Sequence, residues 1–165
     1  NSNFSEISSD SIDIDFGSGK MENLNFEDIG NDAVDLSGSK IYLKNLFFVN
    51  VGDKIISSGE STNAKIENIV AKNSFLGIAS KDGSIVEAKN INFDKVKIPF
   101  ASYQKKKSYG YGFLKVNDPI NLKNYIKKTL KDTNSQILIN KNEIGNYNNK
   151  VITIVYKRNL DLINE

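Results

Sequence analysis

Seven carboxylates among the first sixty residues stand at spacings that could do chemistry: Asp10, Asp13, Asp15, Asp32, Asp35, Asp53 and Glu60. Asp32 follows Asp10 by 22 residues, Asp35 follows Asp13 by 22, and Lys54 follows Asp32 by 22. If the chain winds back on itself at that interval, the carboxylates stack in pairs. Lys54 then closes one column, and Lys81 and Asp82 lie further along. Two carboxylates about 5 Å apart repel by about 1 kcal/mol in water, and several times more at an effective dielectric near 20, so something must offset them. Three chemistries would do so. The plainest is a solvated acidic ridge stitched to Lys54 and Lys81 by salt bridges. The second is a hard-cation site in which Asp13 and Asp35 hold Ca²⁺, since carboxylate oxygens without His or Cys suit that ion better than zinc. The third is an active site on a saccharide. Paired carboxylates there act as acid and base or nucleophile, or a lyase base is drawn from Lys54, Lys81 and Tyr103. The chain has no His, Cys or Trp. That removes the commonest general base, thiolate metal sites and the strongest sugar-stacking ring.

The elements that would position these groups form a repeat. Asn23-Leu24-Asn25-Phe26-Glu27-Asp28-Ile29 recurs at Asn45–Val51 and Asn90–Val96, is preceded by Asn1–Ile7, and has a weaker copy at Asn68-Ile69. Each period reads as one coil of three short strands. In the first, Leu24, Phe26 and Ile29 and their counterparts line a core, by the alternation of a half-buried strand. In the second, Ile12 and Ile14 point in while Asp13 and Asp15 point out, and Val34, Asp35 and Leu36 repeat that arrangement. In the third, Met21, Leu43, Ile66 and Ala88 form an inward column. Beside it Glu22, Lys44, Glu67 and Lys89 alternate in sign, as stacked strands favour. The Asn that opens each phrase falls at a bend, where amides can bond their equivalents in the next coil. The fourth period is 23 residues long, with Ala71 and Ser74 in place of larger apolar residues. Phe75 is expected to fill that gap, and the extra residue to fall near Gly59-Glu60-Ser61.

After Ile98 the period fades. Tyr103 to Gly112 is a basic, aromatic loop, in which Tyr103, Tyr109 and Tyr111 with Lys105, Lys106 and Lys107 could offer a sugar platform. Asp118-Pro119 reads as a helix start, with Leu122, Tyr125, Ile126 and Leu130 on one face, predicting a helix over 119–132. Ile137–Ile139 and Val151–Tyr156 read as strands of a hairpin joined through Gly145–Asn149. The expected organisation is therefore coils over 1–112 and a capping helix plus β-hairpin over 113–165. The repeat is already running at Asn1, so a fragment of a longer solenoid is expected.

The pattern over about residues 1–112 resembles the right-handed parallel β-helix of the pectin-lyase-like superfold. More narrowly, Asn31–Ser39, Gly52–Ser57, Gly59-Glu60-Ser61, Gly77–Ser84 and Tyr103–Lys106 look like an uncharacterised bacterial β-helix family. A further likeness is to polygalacturonases, through Asn31-Asp32 and Gly52-Asp53. Lys54 stands where that family has a second Asp, and its His-Gly and Arg-x-Lys elements are absent. The resemblance implies an all-β, exported or cell-surface module. The function expected from it is binding of extracellular polysaccharide through Asp13, Asp35, Asp53, Lys54, Glu60, Lys81, Asp82 and Tyr103. A structural spacer that self-associates end to end is one alternative, and a polysaccharide lyase, epimerase or hydrolase is the other. No cofactor is required, Ca²⁺ being the one ion the carboxylates suggest. A net charge of +2 is too mild for a nucleic-acid partner, and no apolar run is long enough to cross a membrane as a helix.

Overall fold

The recurrent phrase lies on itself, coil upon coil. Parallel pairing sets Leu24 beside Leu46, then Ile69, then Ile91, and sets Phe26 beside Phe48, then Ala71, then Phe93. The computed structural model describes residues 1–164 and is a parallel β-solenoid of about six turns. Glu165 lies outside the described residues. In chain order the strands are β1 (Ser2–Ile7), β2 (Ile12–Asp15), β3 (Ser18–Ile29), β4 (Val34–Ser37), β5 (Lys40–Val51), β6 (Lys54–Gly59), β7 (Asn63–Lys81), β8 (Ile85–Tyr103), β9 (Phe113–Lys123), β10 (Thr129–Lys131), β11 (Gln136–Ile139) and β12 (Asn142–Glu143). A short helix α1 (Val151–Lys157) and a 3-10 helix (Leu160–Asn164) follow.

Each coil turns three corners, and each corner has a residue in the left-handed region. One column is Asn23, Asn45, Asn68 and Asn90, at φ 55–57°. The amides form the expected ladder: Asn45 donates to Asn23 at 3.0 Å, Asn68 to Asn45 at 2.9 Å and Asn90 to Asn68 at 2.9 Å. Asn is the residue for this place because it tolerates positive φ and hydrogen-bonds locally. A second column runs through Glu6, Asp28, Asn50, Asn73 and Lys95, and a third through Phe16, Gly38, Glu60 and Asp82. Replacing Asn68 by Ala forfeits two ladder bonds and leaves at φ 57° a residue without the short polar side chain that lets Asn tolerate it. Left-handed strain of roughly 1–2 kcal/mol and the lost bonds lead us to expect a loss of about 2 kcal/mol in urea denaturation. Asn68→Gly, free of the strain, should lose about half as much.

The interior is a stack of like on like. Phe4, Phe26 and Phe48 lie ring over ring with centroids 5.0 and 4.7 Å apart. Ala71 interrupts the stack, and Phe75 does not fill the gap. It turns outward, into a second apolar cluster with Leu76, Ile98, Val151 and Ile154. The Phe93 ring leans instead towards Gly77, where a Cβ would lie 2.5 Å from a ring carbon. Glu22, Lys44, Glu67 and Lys89 are in register in one file. Their pairing is less regular than their order: Lys89 reaches Glu67 at 3.0 Å, while Glu22 takes Lys20 at 3.0 Å. The extra residue of the fourth period sits between Gly59 and Asn63, where Glu60 and Ser61 both have positive φ.

Parallel pairing continues beyond residue 112. β9 pairs with β8 and β11 with β9. The helix predicted over 119–132 is strand and loop: Pro119 pairs with Ile91, and Thr129–Lys131 pairs with Phe100–Ser102. Asp118, at φ 49°, takes the corner position of the Asn ladder, and its backbone N–H donates to Asn140 Oδ1 at 2.8 Å. The 151–156 stretch, predicted as a strand, is α1. Val151, Ile154 and Val155 are buried at helical spacing, and that packing overrides the strand preference of a β-branched run. The hairpin closes with β12 through Asn140-Lys141, both at positive φ, as a two-residue type I′ turn requires. It blunts the last sheet edge.

Candidate functional site

The second face of the coil, built from β2, β4, β6 and the ends of β7 and β8, changes polarity along the solenoid. Its outward column reads Asp13, Asp35, Ser57, Ala79, Ala101, Leu130. The neighbouring column reads Lys54, Leu76, Ile98 and is preceded by Asp32 and Asp10. Asp10 Oδ1 accepts the Asp32 N–H at 2.8 Å, and Asp32 Oδ1 accepts the Lys54 N–H at 2.9 Å. Acidic rungs thus give way to small apolar ones. Helix α1 lies on the apolar half, burying Leu76, Ala79, Ile98 and Ala101 against Val151, Ile154 and Val155.

At the boundary between the two halves lies a buried ion triad. Lys54 Nζ is 2.5 Å from Asp53 Oδ2 and 3.2 Å from Asp32 Oδ1. Lys54 is 2% exposed and Asp32 3%. Above them the Tyr156 ring from α1 places its centroid 5.2 Å from Lys54 Nζ, and the Tyr156 hydroxyl lies 3.1 Å from the Tyr103 hydroxyl. Burial pushes the Asp32 carboxyl up to about 6, against the attraction of Lys54 and with the repulsion of Asp53 adding to it. Burial works against the Lys54 ammonium too, yet the two carboxylates hold it above the ordinary lysine value. A carboxyl near 6 has a value suited to acid–base work. Here it is enclosed, and its oxygens are spent on Lys54.

The other expected site residues fall into three places. Tyr103 is fully buried, so its ring offers no face to a sugar. Burial and the neighbouring Tyr156 hold its hydroxyl well above the usual tyrosine range. Asp82 Oδ1 accepts the N–H groups of Lys105 and Lys106 at 2.6 Å each, anchoring the 104–112 loop. Glu60 pairs with Lys106, whose hydrogen bond holds that carboxyl below the usual range. Lys81 Nζ stands 3.8 Å from Asp35 Oδ1, a charge contact rather than a hydrogen bond. Asp13 is exposed on the rung before Asp35. Partial burial, then Asp15, Asp35 and Asp10, raise its carboxyl above the ordinary value. Among the described residues no group of three His, Cys, Asp or Glu side chains converges as metal ligands do.

Two groups escaped the sequence reading. Tyr156 closes the triad, but it belongs to a segment whose fold was read as strand. Phe16 stands at the third corner, 77% exposed and at φ 53°. Its ring covers Gly38 of the next coil, where a Cβ would lie 2.6 Å from it. A bulky residue at positive φ is uncommon, and its place in the corner column with Gly38 was the available signal. No protein-family model, curated protein or solved structure matches the chain.

Proposed function

We propose that the chain is an exported or cell-surface β-solenoid module that binds an extracellular polysaccharide along the open half of its second face. The observation that carries this reading is Phe16, an aromatic ring 77% exposed, seated on Gly38 directly after Asp15 and beside the rungs of Asp13 and Asp35. A flat ring accepts the C–H face of a sugar, and carboxylates accept hydrogen bonds from its hydroxyls. The rungs repeat at about 4.8 Å, which suits an extended ligand. The pectin-lyase-like likeness of the coil is in keeping with this setting. On a glycan array the protein should bind a restricted set of polysaccharides. Phe16→Ala should weaken that binding at least tenfold, and Asp35→Ala should weaken it as well. An array flat for the unaltered protein, or binding indifferent to both substitutions, would rule the reading out. The amide ladders favour a second reading, a structural spacer. A flat array together with end-to-end assembly in sedimentation would establish it.

A further inference from the structure

On a different side of the coil, where the second corner meets the end of α1, a groove of about 450 Å³ is lined by Val51, Gly52, Asn73, Ser74, Phe75, Lys95, Lys97, Arg158 and Leu160. Three of those side chains are cationic and none is a carboxylate. Lys95, Lys97 and Arg158 are exposed, and none of them makes an ion pair among the described residues.

Arg158 is the residue that ends α1, at φ 52°, a left-handed position that glycine fills at least cost. Its guanidinium sits 5.6 Å from the Phe75 ring centroid. The outward turn of Phe75, made possible where Ala71 and Ser74 break the repeat, supplies the apolar wall on which Arg158 rests. Asn73, which holds the second corner at φ 53°, makes no side-chain hydrogen bond to another described residue, so its amide is free to donate. Like charges drawn together without a counter-charge favour an anion, and a guanidinium presents a planar fork matched to carboxylate or sulfate oxygens. The volume is that of a small-ligand cleft rather than of a lone ion.

We propose that this groove binds an acidic saccharide unit, its carboxylate or sulfate held by Arg158 and Lys97 with Lys95 beside them, and its hydroxyls met by Asn73. The site shares no residue with the acidic ridge and does not depend on it. The test is an NMR titration of the ¹⁵N-labelled protein with glucuronate, glucose 6-sulfate, glucose and inorganic sulfate. Glucuronate or glucose 6-sulfate should shift the Asn73, Lys95, Lys97 and Arg158 signals and bind at least tenfold more tightly than glucose. That affinity should fall at least tenfold in Lys97→Gln with Arg158→Gln and fall with added NaCl. It should be unchanged in Phe16→Ala, which is the substitution that tests the ridge. Glucose binding as well as glucuronate would overturn the proposal. So would shifts confined to the ridge, affinity unaltered in the double variant, or inorganic sulfate matching the saccharides at the same signals. Saccharide binding in the groove alongside a flat polysaccharide array would support this site while removing the function proposed for the ridge.

Discussion

Replacing Lys54 by Met is expected to destabilise the protein by about 3–5 kcal/mol, the usual cost of removing one partner from a buried charge group. Lys54 holds Asp32 and Asp53 at 3.2 and 2.5 Å. Without it, two buried carboxylates face each other under the Tyr156 ring with no cation between them. They must then ionise at great cost, take up protons, or pull the region open. The urea midpoint should fall at pH 7 with little change in slope. The same substitution made together with Asp32→Asn and Asp53→Asn should recover most of the loss, because the next residues of the column are Leu76 and Ile98 and an apolar side chain suits that neighbourhood. A single Lys54→Met within 1 kcal/mol of the unaltered protein would mean that the triad is solvated. The triad would then not organise the boundary between ridge and helix.

That boundary shows how far the sequence can be read and where it stops. The coil was legible because its signals are local and repeated: one Asn per coil at the first corner, a Phe on every rung but that of Ala71 and one sign change per coil, each placed on its counterpart by parallel pairing. The acidic columns were legible for the same reason. Whether a column faces water or another element is not a local property. Lys54 and Tyr103 carry polar atoms and read as ligand contacts, yet both are covered by a helix that comes some fifty residues or more after Tyr103 and a hundred after Lys54. That helix was itself hidden. Val151, Ile154 and Val155 fit a helical face, but Ile152 and Tyr156 are apolar too, so every period fits and β-branching tips the reading to strand. The segment 119–132 failed in the opposite sense. Asp118-Pro119 is a good helix start in isolation, and only the corner column from Asn90 reveals it as one more bend. The loop at 104–112 breaks the 22-residue count just before it. Phe75 was misplaced because volume alone was matched to the gap at Ala71, whereas the left-handed bend at Asn73 resets the alternation, setting Ser74 beside the core residue Val96 and sending Phe75 to the other face.

Acidification from pH 7 to about pH 5 is expected to make the protein more stable, the reverse of the common trend for a protein with ion-paired carboxylates. The cause is Asp32, raised from 3.8 to about 6, chiefly by burial. The folded state binds this proton more tightly than the unfolded chain does. Between those two values it carries more protons, so stability falls as pH rises through the window and levels off above it. A separation of that size corresponds to roughly 3 kcal/mol. Asp13, also raised, acts in the same direction. Glu60 and Glu67, both held below 4.5 by lysine partners, act in the opposite one, and their contribution disappears only as pH falls below that value. Stability should therefore pass through a maximum where the two opposing trends balance. Asp32→Asn isolates the cause. The amide oxygen can still accept the Lys54 N–H, and the Lys54–Asp53 pair is left neutral. Urea midpoints should fall from pH 5 to 7 and level off by pH 8 for the unaltered protein and stay flat for the Asn variant, with the variant at least as stable at pH 7. A flat profile for the unaltered protein, or the same slope in both, would place the titrating carboxyl outside the triad.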